Sequence, residues 1–205
     1  MRFKGVTFMR KNSRLTFFAC CGAYLAVTVL DLVFTYIATP NLLLEGNPLF
    51  KQFGAGWAVL IAVNVLTFAG YCAMAYYAFI RYKSPVTNET DMKRWLAFIN
   101  YGDGDKYVPM MWKLPKHWGP QTACLCWSVV TVLPFCRMII VIEWFLMILN
   151  IRAPIFFTIV AVFPLGRIDI FLAIIGAWIL SGVWIKKEFK KNLEEIASRK
   201  ESEND

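Results

Sequence analysis

Long apolar runs are the feature that most constrains what this chain can fold into. Three of them, Leu15 to Thr39, Ala55 to Ile80 and Thr122 to Leu149, reach the ~20 residues that a helix needs to cross a bilayer. A fourth runs from Ile168 to Ile185. Backbone surrounded by lipid must satisfy its own hydrogen bonds, so each run predicts a helix. The sequence therefore predicts an all-α, polytopic membrane helical bundle with four transmembrane helices.

A shorter apolar stretch lies between the third and fourth runs. It extends from Ala153 to Gly166 and is bounded by Pro154 and Pro164, and its roughly 14 apolar residues are few for a span. We expect a re-entrant or interfacial segment here, or a tilted extension of the last helix.

The domain organisation follows from these runs. Residues 1–185 are predicted to form a single transmembrane domain, with spans at about 15–39, 55–80, 122–149 and 168–185. The segment 81–121 mixes tryptophan and tyrosine with basic residues, which predicts an amphipathic cytoplasmic loop along the membrane surface. Residues 186–205 form a basic cytoplasmic tail whose helical apolar spacing is typical of a segment that binds anionic lipid or a partner.

Composition and charge agree with a membrane protein. Of its residues, 58% are hydrophobic. The mean hydropathy of the chain is +0.50, which is well above the mean hydropathy of a water-soluble domain. The net charge of +8 does not indicate a nucleic-acid partner, because the basic residues crowd the ends of the apolar runs.

Those basic residues predict the orientation, because positively charged loops stay in the cytoplasm. Five lie before the first run, seven between Arg81 and Lys116, and six between Lys186 and Lys200. With four spans these eighteen of twenty-two fall on one side. We expect a multi-pass protein of the cell (inner) membrane with both termini in the cytoplasm.

The six cysteines all fall inside apolar runs, which favours free thiols over a disulfide framework. A zinc site could be built from Cys20, Cys21, Cys124 and Cys126, but adjacent and alternate ligands depart from the usual CxxC spacing. We expect no metal and no cofactor.

Ionisable side chains inside apolar helices are costly, so they usually face a bundle interior and pair with one another. Their positions along the helices place several polar residues in one layer toward the outer face of the membrane. The residues in or beside the apolar runs are Asp31, Asn64, Arg137, Glu143, Arg167 and Asp169, and those in the outer loops are Glu45, Asn47 and Arg152. Arg137 lies deepest, and either Asp31 or Glu143 is its predicted partner.

Thr28, Asp31 and Thr35 lie at i, i+3 and i+7 of the first run, so they share one helix face, which Tyr24 extends. The hydroxyls could bind the carboxylate or a common ligand. Alternatively, each hydroxyl bonds the backbone of its own helix four residues earlier.

Asp31-x3-Thr35 in a first span, followed by Glu45-Gly-Asn47-Pro48 before a second, resembles a small family of uncharacterised bacterial and archaeal membrane domains. The likeness covers about residues 28–70. It implies that Asp31, Thr35, Glu45, Asn47 and Pro48 form a unit, and it implies no known reaction. The turn-forming loop could also fold Glu45 and Asn47 back over Asp31, or be a plain exposed hairpin turn.

Three classes of function fit these features. The first handles an amphiphilic or lipid-linked substrate from the outer leaflet, with Asp31 and Glu45 as catalytic base and acid candidates. Its substrate-binding candidates are Thr35, Asn47, Asn64, Arg137, Glu143, Arg152, Arg167 and Asp169. The second is proton- or cation-coupled transport, and the third is a structural or accessory subunit of a membrane complex. The expected partners are membrane lipids and either further copies of the chain or other membrane subunits; whether the chain is an enzyme is left open.

Overall fold

The computed structural model describes residues 13–42, 56–102, 114–150 and 168–204, with side chains in the last range for 171–202. These residues form helices and contain no strand. Their order is α1 (Ser13–Ala38), α2 (Trp57–Tyr76) continued by a π-helical turn (Tyr77–Arg81), α3 (Met92–Tyr101), α4 (Trp118–Ile148) and α5 (Ile168–Asn204). The predicted all-α class is confirmed.

Three helices of the described ranges are long and apolar enough to cross a membrane. They are α1, α2 together with its π-helical turn, and α4, and each coincides with a predicted span. Helix length and composition therefore indicate a membrane protein. The predicted re-entrant or interfacial stretch, 153–166, lies outside the described residues.

The long helices α1, α2 and α4 alternate in direction along the chain, so that α2 runs opposite to both α1 and α4. Near the end of α1, the Trp57 indole donates to the Pro40 carbonyl at 2.7 Å, which joins the start of α2 to the end of α1. The far end of α4 reaches the same end of the bundle, since the rings of Phe34 and Phe145 are 5.9 Å apart. We call this the hairpin end. At the opposite end, α4 begins beside α2, where the Tyr77 hydroxyl contacts the Gly119 carbonyl at 3.5 Å.

Helix α5 returns along α4 and passes the predicted boundary at residue 185 without a break, for 37 residues in all. Its last part packs on α3, which begins at an Asp91 N-cap and ends at Gly102 in the left-handed region, φ 77°. We call this packed layer, residues 82–102 with 186–202, the tail layer.

Two aromatic residues show how the tail layer is built. Trp95, which the sequence assigned to the membrane surface, is fully buried, and its ring lies 5.5 Å from that of Phe189. The Asn192 side chain accepts from the Thr87 backbone N–H at 2.8 Å and donates to the Glu89 carbonyl at 3.0 Å. The apolar stripe of the tail therefore contacts α3 of the same chain.

Candidate polar site within the helix bundle

Arg137 on α4 is the centre of a polar cluster formed by three helices. Its Nε donates to Asp31 Oδ2 on α1 at 3.1 Å. Its Nη1 donates to Tyr24 Oη at 3.1 Å and to Thr28 Oγ1 at 3.0 Å, both also on α1. Its Nη2 donates to Asn64 Oδ1 on α2. We call these five side chains the Arg137 cluster.

The neutral acceptors of the cluster are fixed by second contacts. The Thr28 hydroxyl donates its proton to the Tyr24 carbonyl at 2.7 Å, which leaves a lone pair for Arg137. The Asn64 amide donates to the Leu60 carbonyl at 2.9 Å, which turns its oxygen toward the guanidinium. The Thr28 hydroxyl therefore bonds the backbone of its own helix, as one of the two sequence-based alternatives expects, and it also accepts from the Arg137 guanidinium.

The Arg137 cluster lies nearer the hairpin end. Asp31 is seven residues before the end of α1 at Ala38, and Asn64 is seven residues after the start of α2 at Trp57. At 1.5 Å per residue, both are about 10 Å from that end of the bundle. The side chains of Arg137 and Asp31 keep 16% and 13% of their exposure. The two opposite charges are thus paired and largely buried, with some access retained.

Tyr71 is part of this site and was missed by the sequence analysis. It is fully buried on α2, and its hydroxyl donates to the Val130 carbonyl of α4 at 2.9 Å. Its ring stacks on that of Tyr24, with centroids 4.1 Å apart and planes 10° from parallel. Tyr71 therefore contacts both the backbone of α4 and the ring that adjoins Arg137.

Other predicted site residues lie apart from Arg137 or outside the described residues. Thr35 is buried on α1, and in the described part of the chain it is not one of the side chains that Arg137 binds. Glu143 is half-buried on α4, and the carboxylate that pairs with Arg137 is Asp31. The residues outside the described ranges are Glu45, Asn47, Pro48, Arg152 and Arg167, and the side chain of Asp169 in α5 is also outside them.

The chemistry of the cluster is that of oxygen recognition. Arg137 carries five N–H donors, and four are used in the contacts above. One Nη2 donor is left over among the described residues and is suited to a phosphate, carboxylate or hydroxyl oxygen. In the described ranges, no group of three or more histidine, cysteine or acidic side chains could hold a metal ion.

No protein-family model, curated protein or solved structure matches this chain. The resemblance of residues 28–70 to the uncharacterised membrane domains stays a prediction, and of the five residues that carry it only Asp31 and Thr35 lie within the described residues.

Proposed function

We propose that the chain is an inner-membrane protein with four spans and both termini in the cytoplasm. We propose further that the Arg137 cluster receives the polar head of an amphiphilic or lipid-linked molecule from the outer leaflet. The observation that carries this second part is the partly exposed, pre-oriented guanidinium of Arg137, which keeps one N–H donor beyond its four contacts with the residues that the structure describes.

Two observations support a fourth span in α5. Its first 18 residues, Ile168 to Ile185, contain a single charged residue, Asp169. Large apolar side chains point away from the bundle here, with Ile174 64% and Trp178 79% exposed, as is expected of a lipid-facing surface. A fourth span also places eighteen of the twenty-two lysines and arginines on one side of the membrane.

The number of spans is testable with thiol labelling. Ser13→Cys and Ser202→Cys lie at opposite ends of the described chain and are probed with a membrane-impermeant maleimide. The parent chain is the control, since its six cysteines lie inside apolar runs. Four spans predict labelling of both variants only in inverted vesicles. Labelling of one variant in inverted vesicles and the other in right-side-out vesicles would rule four spans out.

Pre-orientation supports ligand binding at Arg137. The three helices hold the guanidinium and its acceptors in one geometry before any ligand arrives, so little side-chain freedom is lost on binding. A ligand oxygen would meet a donor that is fixed in direction. Because Asp31 already neutralises Arg137, a head that offers hydroxyl as well as phosphate oxygens fits better than a bare anion.

Lipid retention tests the binding role. Purified protein is incubated with phosphatidylglycerol or phosphatidylcholine, and bound lipid is counted by native mass spectrometry. Arg137→Lys keeps the charge but loses the planar fork, so we expect retention of phosphatidylglycerol to fall roughly fivefold or more. Thr67→Val is the matched control, because the Thr67 side chain is exposed and, among the described residues, bonds the Val63 carbonyl of its own helix. Unchanged retention by a folded Arg137→Lys protein would remove the binding role.

A structural role in assembly is the second candidate, and one observation favours it. The four contacts of Arg137 join α1, α2 and α4, so they fix the relative register of three helices. The same variants separate the two roles. An Arg137→Lys protein that unfolds at a lower temperature but retains as much lipid per folded molecule favours assembly.

A further inference from the structure

Helix α4 contains a proline in its interior, Pro134, three residues before Arg137. Proline has no backbone N–H, so the carbonyl four residues earlier, that of Val130, loses its helical donor. An unsatisfied carbonyl is expensive inside a bilayer, where water is absent. We propose that Tyr71 is a positioning residue: its hydroxyl replaces the hydrogen bond that Pro134 removes, and it thereby holds the Arg137 half of α4 in place.

The geometry selects Val130 as the acceptor of the Tyr71 proton. The hydroxyl lies 2.9 Å from the Val130 carbonyl and 3.4 Å from the Cys20 carbonyl of α1. Cys20 is followed four residues later by Tyr24, whose backbone N–H is available within the helix, whereas Val130 is followed by Pro134. The single proton of Tyr71 therefore goes to the carbonyl that is closer and lacks a helical donor.

Both partners of this contact are fully enclosed. Tyr71 and Val130 have no exposed surface, so the Val130 carbonyl cannot turn to lipid headgroups or water for a substitute donor. A helix that lacks one internal bond at a proline is free to kink there. A change of kink at Pro134 would move Arg137 relative to Asp31 and Asn64, which lie on two other helices.

The ring of Tyr71 also contacts the Arg137 cluster directly, through Tyr24. It stacks on Tyr24, whose hydroxyl accepts from Arg137 and whose ring lies 5.5 Å from the Arg137 guanidinium carbon. Tyr71 thus positions both the α4 backbone at Val130 and the Tyr24 side chain, which accepts from the Arg137 guanidinium. Tyr71 has this role whether the Arg137 cluster binds a ligand or serves assembly, because both require the cluster to form.

A double-mutant cycle on the full chain tests the role. Tyr71→Phe removes only the hydroxyl, and Pro134→Ala returns a backbone N–H to the Val130 carbonyl. With Pro134 present, Tyr71→Phe is expected to lower the unfolding temperature in detergent by roughly 3–6 °C. In the Pro134→Ala background the same change should have an effect of about 1 °C or less. Tyr76→Phe is the matched control, since Tyr76 is exposed on the same helix.

A spectroscopic signal at Arg137 separates positioning from general stabilisation. In protein labelled with ¹⁵N-arginine, the Nε–H resonance of Arg137 is assigned by its loss in Arg137→Lys. We expect Tyr71→Phe to shift this resonance, Pro134→Ala to return it toward its original position in the double variant, and Tyr76→Phe to leave it unchanged.

Each outcome of these experiments supports or overturns the positioning role of Tyr71. Equal loss of stability by Tyr71→Phe with and without Pro134→Ala would overturn the proposal, as would an Arg137 resonance that does not move. If Tyr71→Phe alone fails to fold, recovery of folding by adding Pro134→Ala supports the proposal, and failure of the double variant to recover overturns it.

Discussion

The two faces of α4 are held to their neighbours in opposite ways. Toward α1 and α2, the contacts are directional: the Arg137 guanidinium binds Asp31 and three neutral acceptors. Toward α5, the helices meet through small residues, and Gly176 lies so close to Val132 that an added Cβ would be 2.6 Å from Cγ2. The polar contacts on this second face include the Ser128 and Ser181 hydroxyls, 3.1 Å apart, and the Cys124 thiol, which donates to the Ser181 carbonyl at 3.8 Å.

This difference teaches which change each interface tolerates. A bilayer offers no hydrophobic force between helices, so association depends on close packing and on hydrogen bonds. The α1–α2–α4 contacts should be sensitive to the loss of a donor or acceptor and less sensitive to size. The α4–α5 contact should be sensitive to added volume and less sensitive to the loss of a polar atom.

Removing the guanidinium should have the largest effect. Arg137→Gln removes the guanidinium that pairs with the largely buried Asp31 carboxylate at 3.1 Å, so we expect a loss of about 3 kcal/mol in stability. For a chain of this size that corresponds to an unfolding temperature lower by roughly 6–12 °C. Thermal unfolding in detergent measures the change, with folded yield recorded beside it.

The partner variant sharpens this result. Asp31→Asn alone should also destabilise, because it leaves the buried arginine without a counter-charge. Asp31→Asn combined with Arg137→Gln brings two neutral amides together, so the double variant should lose at least about 1 kcal/mol less than the sum of the single losses. Simple additivity would mean that the ion pair contributes little to the fold.

Added volume should have the next largest effect, on the other face of α4. Gly176→Ala forces its new methyl against the stiff Val132 side chain, so we expect destabilisation of about 1–3 kcal/mol. Gly182→Ala is the matched control on the same helix, since its added Cβ would meet nothing within 4 Å. The measurement is again thermal unfolding. Equal unfolding temperatures for both variants would show that α4 and α5 do not pack closely at Gly176.

Loss of one neutral acceptor should have the smallest effect. Thr28→Val keeps the shape but removes the oxygen that accepts from Arg137, and we expect a loss of about 0.6–1.5 kcal/mol. Thr67→Val removes an exposed hydroxyl whose contact among the described residues is with the Val63 carbonyl of its own helix, and it should change stability by less. If chemical denaturation gives the same loss for both, the Thr28 contact to Arg137 adds nothing to the fold.

Much of the fold could be predicted because bilayer thickness fixes the length of an apolar helix. The runs from Leu15, Ala55 and Thr122 each correspond to a helix of the structure. The continuation of α5 beyond residue 185 was harder to predict, because Phe189 and its neighbours have the spacing of an amphipathic helix whether they face lipid, a partner or α3. The contacts of Phe189 with Trp95 and of Asn192 with Thr87 and Glu89 show that this part of α5 faces α3 and the segment before it, and these contacts depend on the tertiary fold.

The candidate site was predictable only in part. Charge cost alone indicates that Arg137 needs a carboxylate, but helix periodicity does not say how α1 and α4 are rotated toward each other. The choice of Asp31 over Glu143 therefore came only from packing. Tyr71 carries no pattern of its own; the signal that points to it is Pro134, because a proline inside a span implies an orphan carbonyl that some neighbour must satisfy.

The unbroken course of α5 has a mechanical consequence. Its 37 residues form a helix of about 55 Å. Gly176 packs closely against Val132 of α4, and Asn192, in the second half of the helix, bonds Thr87 and Glu89. Because the helix is continuous from Gly176 to Asn192, a small change in the tilt of α4 at Gly176 would displace Asn192 by a larger distance. A tilt of α4 at Val132 would therefore be expected to move the Asn192 contacts with Thr87 and Glu89, which precede α3.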